Sequence, residues 1–205
     1  MADQKRPYRM KKRAEAEEAT RRRITESAVH LHGTVGPART TVSALAELAG
    51  VRRSTIYRHF PDEASLFAAC TAHWAADNPV PDIGAWAGIE DPGERLRAAL
   101  GALYAYYRRT ARMMENLIRD EPVSELVQHH FAAYHGYIDA ARDVLLRGRR
   151  ARGRARTRER AAIGHALACT TWRALALDVG LADDQAVELM VRLVDGLRWR
   201  RRHRG

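Results

Sequence analysis

Seven of the eight residues from Arg52 to His59, in the stretch RRSTIYRH, carry side chains that can donate a hydrogen bond. The set comprises three arginines, a serine, a threonine, a tyrosine and a histidine, and it contains no carboxylate. Guanidinium and hydroxyl groups bind phosphate oxygens, and arginine also donates two hydrogen bonds to the major-groove edge of guanine. This chemistry is suited to binding a nucleic acid, and it indicates no bond-breaking reaction.

The residues on either side predict two short helices joined by a tight turn. Thr41 is a suitable N-cap for a helix over residues 42–49. The inner face of that helix would consist of Val42, Leu45, Ala46 and Ala49. Gly50 permits a left-handed turn, after which a second helix over residues 52–60 would bury Ile56 and Phe60 and end at Pro61. The pattern is that of a helix-turn-helix, whose second helix presents its polar face to the major groove.

No group of residues in the sequence points to catalysis or to a metal. The chain has no P-loop, GxGxxG, CxxC or HExxH motif, and no nucleophile lies beside a base. His129 and His130 are neighbours that would point about 100° apart on a helix, and neither is four residues from His135. Cys70 and Cys169 are far apart in sequence, and we expect both to be reduced thiols. We therefore expect no enzyme activity, no metal and no cofactor.

The charge of the chain favours a polyanionic partner. The 205 residues include 35 lysines and arginines against 25 aspartates and glutamates, a formal net charge of +10, and the lysines are only Lys5, Lys11 and Lys12. An arginine-rich surface attracts phosphate, although the amino-acid usage of a GC-rich genome would give the same total. The sequence has no signal peptide and no apolar run of membrane-spanning length, so we expect a cytoplasmic protein with no membrane partner.

Two segments concentrate this positive charge. Residues 1–13 predict a flexible basic arm, which would either add salt-dependent affinity for phosphates or a minor groove, or serve as a solubilising tail. Residues 147–160 include eight arginines. We favour a partly looped, solvated segment there over a second DNA-binding site.

The hydrophobic residues predict an all-α fold, since they recur with a helical period from residue 14 onward and nowhere alternate over the length of a strand. Predicted helices cover residues 14–31, 42–49, 52–60, 62–77, a segment starting at Pro92, 111–119, a long segment from Pro122 to Leu145, 158–179 and 183–199. The last helix is apolar around most of its circumference and therefore needs cover on two sides. In a chain this short a second copy would supply that cover, so we expect a homodimer through the last two helices.

The stretch TTVSALAELAGVRRSTIYRHFPDEASLF, with a helix before it and an apolar helical remainder after it, resembles the DNA-binding domain of the tetracycline-repressor (TetR) family. The residues that match this family's pattern are Thr41, Ala46, Ala49, Gly50, Val51, Thr55, Ile56, Tyr57, His59 and Phe60. The resemblance implies phosphate contacts from Thr41, Tyr57 and His59. It also implies base contacts from Arg52, Arg53, Ser54 and Thr55, and we add Arg58 to the DNA-binding set.

Two positions depart from the family's pattern. Arg52 stands where members have a small capping residue, so that either the cap is weaker or Ser54 caps a slightly later start. Glu63 stands where many members have a lysine that contacts a phosphate. A carboxylate at this position would repel DNA, so no phosphate contact is expected there.

The resemblance also implies a division of the chain into an arm (1–13), a helix-turn-helix domain (14–61) and a larger helical domain for effector binding and dimerisation (62–205). A small molecule bound among the middle helices would release a repressor from a palindromic operator. Residues suited to line its pocket are Trp74, Tyr104, Tyr107, Met113, Leu117, Phe131, Tyr134, Ile138 and Trp172, with His135 or Cys169 as polar contacts. Aromatic residues at helical spacing are equally typical of a core. An architectural DNA-binding protein without an effector is the alternative function.

Overall fold

We analysed a computed structural model of the chain, which describes the backbone of residues 5–197 and, within that range, all side chains except those of residues 5, 6, 7 and 9. The fold is all-α, as predicted, and this part of the chain contains no strand. The helices are α1 (Lys5–Thr34), α2 (Val42–Ala49), α3 (Arg53–His59), α4 (Glu63–Asp77), α5 (Gly84–Ala87), α6 (Pro92–Asp120), α7 (Glu125–Leu145), α8 (Gly153–Leu167), α9 (Cys169–Arg173) and α10 (Asp183–Gly196). None of the helices within residues 5–197 is long and apolar enough to cross a bilayer.

The chain forms two compact units, and the division differs from the predicted boundary at residue 61. The first unit consists of the described residues up to Asn78 together with Glu115–His130. The second consists of Pro79–Met114 and the described residues from Phe131 onward. Helix α4 belongs to the first unit because Phe67 and Cys70 on its inner face are buried there.

The first unit is built around a small apolar core. Its buried members are Ile24, Ala28, Leu45, Ala46, Ala49, Ile56, Phe60 and Cys70. They come from α1, α2, α3 and α4, so the core fixes the orientation of the two short helices. The predicted inner face of α2 and the predicted burial of Ile56 and Phe60 are thus confirmed.

Helix α1 is longer than the sequence pattern predicts. It begins at Lys5 instead of Ala14, so residues 5–13 of the predicted flexible arm are helical, and residues 1–4 lie outside the described part. Residues 5–13 include three arginines, three lysines and one methionine, all of which favour a helix. Pro7 is compatible with it because it lies in the first turn, where its missing N–H has no helical partner.

The end of α6 closes the first unit. Asp120 accepts a hydrogen bond from the amide of Ala38 at 3.0 Å, Arg119 donates to the carbonyl of Val35 at 2.8 Å, and Asn116 donates to that of His32 at 2.9 Å. Gly36 lies between these contacts with φ of +98°. A Cβ atom there would lie 2.0 Å from a guanidinium nitrogen of Arg119 and would displace that side chain, and the positive φ itself favours glycine.

Two predicted helix boundaries in the second unit are wrong. Helix α6 is continuous through residue 111, where the sequence pattern suggested a new helix. The predicted helix over residues 158–179 is instead α8, α9 and a π-helical turn over Ala174–Asp178, with extended backbone at Ala168. The carbonyls of Ala166 and Leu167 accept hydrogen bonds from the hydroxyls of Tyr104 (2.9 Å) and Tyr107 (2.6 Å). These tertiary bonds replace the helical ones and stabilise the break.

Candidate nucleic-acid interface

Helix α3 presents one polar and one apolar face, as the sequence predicts. Ile56 and Phe60 are buried, at 2% and 1% exposure. The exposed side chains on this segment are those of Arg52, Arg53, Ser54, Tyr57 and Arg58, whereas Thr55 and His59 are half-buried. The structure therefore brings the predicted DNA-binding residues of this segment onto a single surface, on which the three arginines are exposed.

The turn before α3 has the backbone geometry that the glycine was expected to allow. Gly50 has φ of 62° and ψ of 39°, in the left-handed region, and its amide donates back to α2. The amide of Val51 then donates to the carbonyl of Ala46 at 3.0 Å. This pair of bonds ends α2 in one turn and permits α3 to start two residues later.

Thr41 caps α2, as predicted. Its side-chain oxygen accepts a hydrogen bond from the amide of Ala44 at 3.1 Å. Accepting this bond leaves the hydroxyl proton free, and the residue is exposed, so it can donate to a phosphate at the same time.

Helix α3 has no side-chain cap at its start. Its N-cap residue is Arg52, whose side chain makes no capping hydrogen bond. Ser54 lies inside the helix, so of the two alternatives for this departure the weaker cap is the one observed. Ser54 is exposed and does not cap the helix, so its hydroxyl is available to a partner.

Two arginines of α1 donate hydrogen bonds to the C-terminal carbonyls of α2 and α3, and the sequence pattern did not predict this role. Arg21 donates to the carbonyl of His59 at 2.7 Å, and its guanidinium lies 4.2 Å from the ring centroid of Phe60. Arg23 donates to the carbonyl of Ala49 at 2.9 Å. A cation at a helix C-terminus satisfies free carbonyls and interacts favourably with the helix dipole. The signal in the sequence is the RRR run immediately before the core residue Ile24.

His59 differs in its surroundings from the other candidates. Its Nε2 atom is buried and hydrogen-bonds to no described residue. That atom does not face solvent in this arrangement, so a contact with a phosphate would need the other ring nitrogen or a rotated ring.

Carboxylates follow α3 directly. Asp62 caps α4 by accepting a hydrogen bond from the amide of Ser65 at 2.7 Å, and this bond holds the pKa of its carboxyl below the usual value. Glu63 begins the helix and is exposed. A phosphate would be repelled here, so the arginine surface ends at Phe60.

The predicted effector-binding residues are divided between the two units. Trp74 and Leu117 lie in the first unit, and the other seven lie in the second. Within the second unit, Tyr104, Tyr107 and Trp172 are fully buried. The hydroxyl groups of Tyr107 and Tyr134 are 2.7 Å apart, and the ring of Phe131 stacks on Tyr134 with 4.8 Å between centroids.

The phenol groups of this cluster are held un-ionised. Burial raises the pKa of Tyr104, Tyr107 and Tyr134 above the ordinary value. Trp172 donates its indole N–H to Asp183 at 2.9 Å. The most buried members therefore belong to the core, whereas Met113, Tyr134 and Ile138 are only half-buried.

The histidines and cysteines form no recognisable metal site. Among residues 5–197 no three side chains of His, Cys, Asp or Glu are grouped so that they could hold an ion. His129 and His130 are in ring contact at 5.2 Å, and burial beside His129 lowers the pKa of His130. Cys70 and Cys169 are buried thiols that are not in a disulfide, and burial raises the pKa of Cys70 to about 12.

Comparison with known proteins agrees with this geometry. Residues 24–70 match the family model described as bacterial regulatory proteins, tetR family. A search of curated protein sequences finds no match.

Three solved structures illustrate the likeness in fold. A TetR-like transcriptional regulator from Rhodococcus sp. RHA1 has a TM-score of 0.65 at 19% identity, over 88% of this chain and 96% of that one. A tetR-family transcriptional regulator from Streptomyces coelicolor has a TM-score of 0.58 at 18% identity, over 88% and 80%. AibR, solved in complex with isovaleryl coenzyme A and operator DNA, has a TM-score of 0.59 at 20% identity, over 85% and 97%. Residues 24–70 therefore match the tetR-family model, and 85 to 88% of the chain shares the fold of these TetR-type transcriptional regulators.

Proposed function

We propose that the protein is a sequence-specific transcriptional regulator, a repressor that a small-molecule effector releases from a palindromic operator. The observation that carries this proposal is the surface of α3. Three exposed arginines, Ser54 and Tyr57 stand opposite the buried Ile56, on a helix that the Gly50 turn holds against α2. A helix of this kind fits the major groove, where we expect the exposed Arg53 to contact a base edge.

Exposed apolar side chains of the second unit support the proposal that the protein binds DNA as a homodimer. On α10, Leu189 is 38% exposed and Leu193 is 56% exposed, and Leu177 and Val179 before it are 44% and 68% exposed. Apolar side chains grouped in this way are typical of an interface. Pairing two copies across these helices would present two copies of α3, which is what a palindrome requires.

Release by an effector rests on two observations. AibR, which shares the fold, was solved with both isovaleryl coenzyme A and operator DNA. In the present chain, Met113, Tyr134 and Ile138 of the second unit are half-buried, and the hydroxyl of Tyr134 is 2.7 Å from that of Tyr107 in the aromatic core. A ligand there would act only through a difference in its affinity for the DNA-competent and DNA-incompetent states.

The decisive experiment is selection of bound duplexes from a random DNA pool with the purified protein. We expect a palindromic consensus whose half-site spacing reflects a dimer. Arg53→Ala should weaken binding to that consensus by about 1 to 3 kcal/mol if Arg53 reads a base. Arg112→Ala removes an exposed arginine of the second unit and should leave the affinity unchanged.

The same experiment separates the alternative, an architectural DNA-binding protein. Such a protein would bind all duplexes with similar affinity, and that affinity would fall steeply with added salt. Equal enrichment of every sequence, with Arg53→Ala no weaker than Arg112→Ala, would reject the proposed function.

A further inference from the structure

Buried arginines donate hydrogen bonds to the backbone of the loop between α7 and α8, residues 146–152, and to the end of α7. Arg95 is 4% exposed and donates to the carbonyls of Ile89 (2.9 Å), Glu90 (2.9 Å), Val144 (3.2 Å) and Arg147 (3.3 Å). One guanidinium group therefore ties the loop and the end of α7 to the start of α6.

Arg149 performs the same task from inside the loop. Its side chain is fully buried and donates to the carbonyls of Pro92 at 2.9 Å and Leu145 at 3.2 Å. It also forms ion pairs with Asp195 at 3.0 Å and Glu159 at 3.3 Å. This finding corrects the expectation that the whole arginine run is solvated. Arg149 is buried because the two carboxylates and two carbonyls replace its water.

Arg156 completes the support. It donates to the carbonyls of Leu146 at 3.1 Å and Arg149 at 3.3 Å. Together the three guanidinium groups donate hydrogen bonds to the carbonyl oxygens of residues 144–147 and 149. The loop is therefore fixed in shape before any partner arrives.

The other four arginines of residues 147–154 are exposed to solvent. Arg147, Arg150, Arg152 and Arg154 are exposed, and their side chains pair with no other residue of the described chain. The first turn of α8 contains no acidic residue. The two carboxylates behind the loop, Glu159 and Asp195, already pair with Arg149, so they do not neutralise the charge of the outer arginines.

We propose that residues 146–152 and the first turn of α8 form a binding cradle for a small molecule that carries two or more phosphate groups. A cleft of about 650 Å³ opens between this loop and Arg156. Guanidinium groups bind phosphate through paired hydrogen bonds, and several on one rigid loop can engage neighbouring phosphates together. This short, rigid loop favours a compact diphosphate over the extended backbone of a duplex. It belongs to the second unit, whereas α3 belongs to the first.

The test measures binding of inorganic pyrophosphate to the full-length protein by isothermal titration calorimetry in 150 mM salt. We expect one site per chain. The double variant Arg150→Gln/Arg152→Gln should weaken it at least tenfold, and hydrogen exchange should show pyrophosphate-dependent protection in residues 146–156. The control Arg112→Gln/Arg192→Gln removes the same charge from exposed positions outside the cleft and should change affinity less than twofold. Because Arg150 and Arg152 are exposed, the thermal midpoint should not change.

Three results would overturn the proposal. The first is that the protein does not bind pyrophosphate. The second is that the two double variants weaken pyrophosphate binding equally. The third is that Arg150→Gln/Arg152→Gln binds pyrophosphate normally but loses affinity for a random-sequence duplex. The last would assign the outer arginines to DNA. Sequence-specific operator binding in either double variant reports separately on the function proposed above.

Discussion

The burial of His32 predicts a pH dependence of stability that can be calculated. The imidazole lies near the end of α1, is 8% exposed, and contacts the ring of Phe67 with 5.2 Å between centroids. Burial lowers its pKa from 6.5 to about 4, although the carboxylate of Asp120 acts in the opposite direction. The folded protein therefore keeps this ring neutral over a range in which the unfolded chain binds a proton.

The sign and the size of the effect follow from linkage. Between pH 6.5 and pH 4 the unfolded state binds more protons, so stability falls as the pH falls. With pKa values of 6.5 unfolded and about 4 folded, the loss is about 2 kcal/mol at pH 5 and about 3 kcal/mol at pH 4. Carboxyl groups with a lowered pKa, such as Asp62, lose their contribution only at still lower pH.

The assay is urea unfolding at pH 7 and pH 5, followed by circular dichroism. His32→Gln removes the titrating ring, so its difference in free energy of unfolding between the two pH values should be smaller than that of the wild type by about 2 kcal/mol. His30→Gln, an exposed position on the same helix, should retain the wild-type difference. If His32→Gln and the wild type lose the same stability between pH 7 and pH 5, the reasoning is refuted.

Three further substitutions test other contacts. Gly36→Ala should destabilise the fold by about 1 to 3 kcal/mol in thermal unfolding, because residue 36 has a positive φ and a Cβ atom there would meet Arg119. Gly136→Ala, inside α7 with open space around it, should be neutral or stabilising. Equal effects of the two substitutions on the free energy of unfolding would refute the argument. Arg149→Met should cost about 3 to 5 kcal/mol because it leaves buried carboxylate charge unpaired, whereas Arg150→Met at an exposed site should cost less than about 0.5 kcal/mol in the same urea titration. Leu193→Glu should shift the protein from dimer to monomer in sedimentation velocity, since Leu193 is 56% exposed on α10, and an unchanged sedimentation coefficient would exclude that face as the interface.

The helix-turn-helix could be predicted from the sequence because its determinants are local. The cap at Thr41 and the left-handed turn at Gly50 each depend on residues within five positions along the chain. Caps and turns of this kind follow from residue type and spacing alone. The boundaries of α2 match the prediction, and those of α3 differ by one residue at each end.

The supporting arginines could not be predicted, because their partners are distant in sequence. Arg21 reaches the carbonyl of His59, and Arg149 pairs with Asp195, across 38 and 46 residues. An arginine in a charged run is normally solvated, and only the fold reveals carbonyls and carboxylates that replace its water. The break at Ala168 escaped prediction for the same reason, since the hydroxyls that stabilise it belong to α6.

The bond from the amide of Ala38 to Asp120 has a consequence for chimaeric regulators. A DNA-binding domain is usually transferred between proteins by joining the two chains at a single point. Here a graft that ended at Asn78 would leave behind Glu115–His130, which complete the donor head. A transplanted unit must therefore bring that second segment with it, because the unit is built from two separate pieces of sequence.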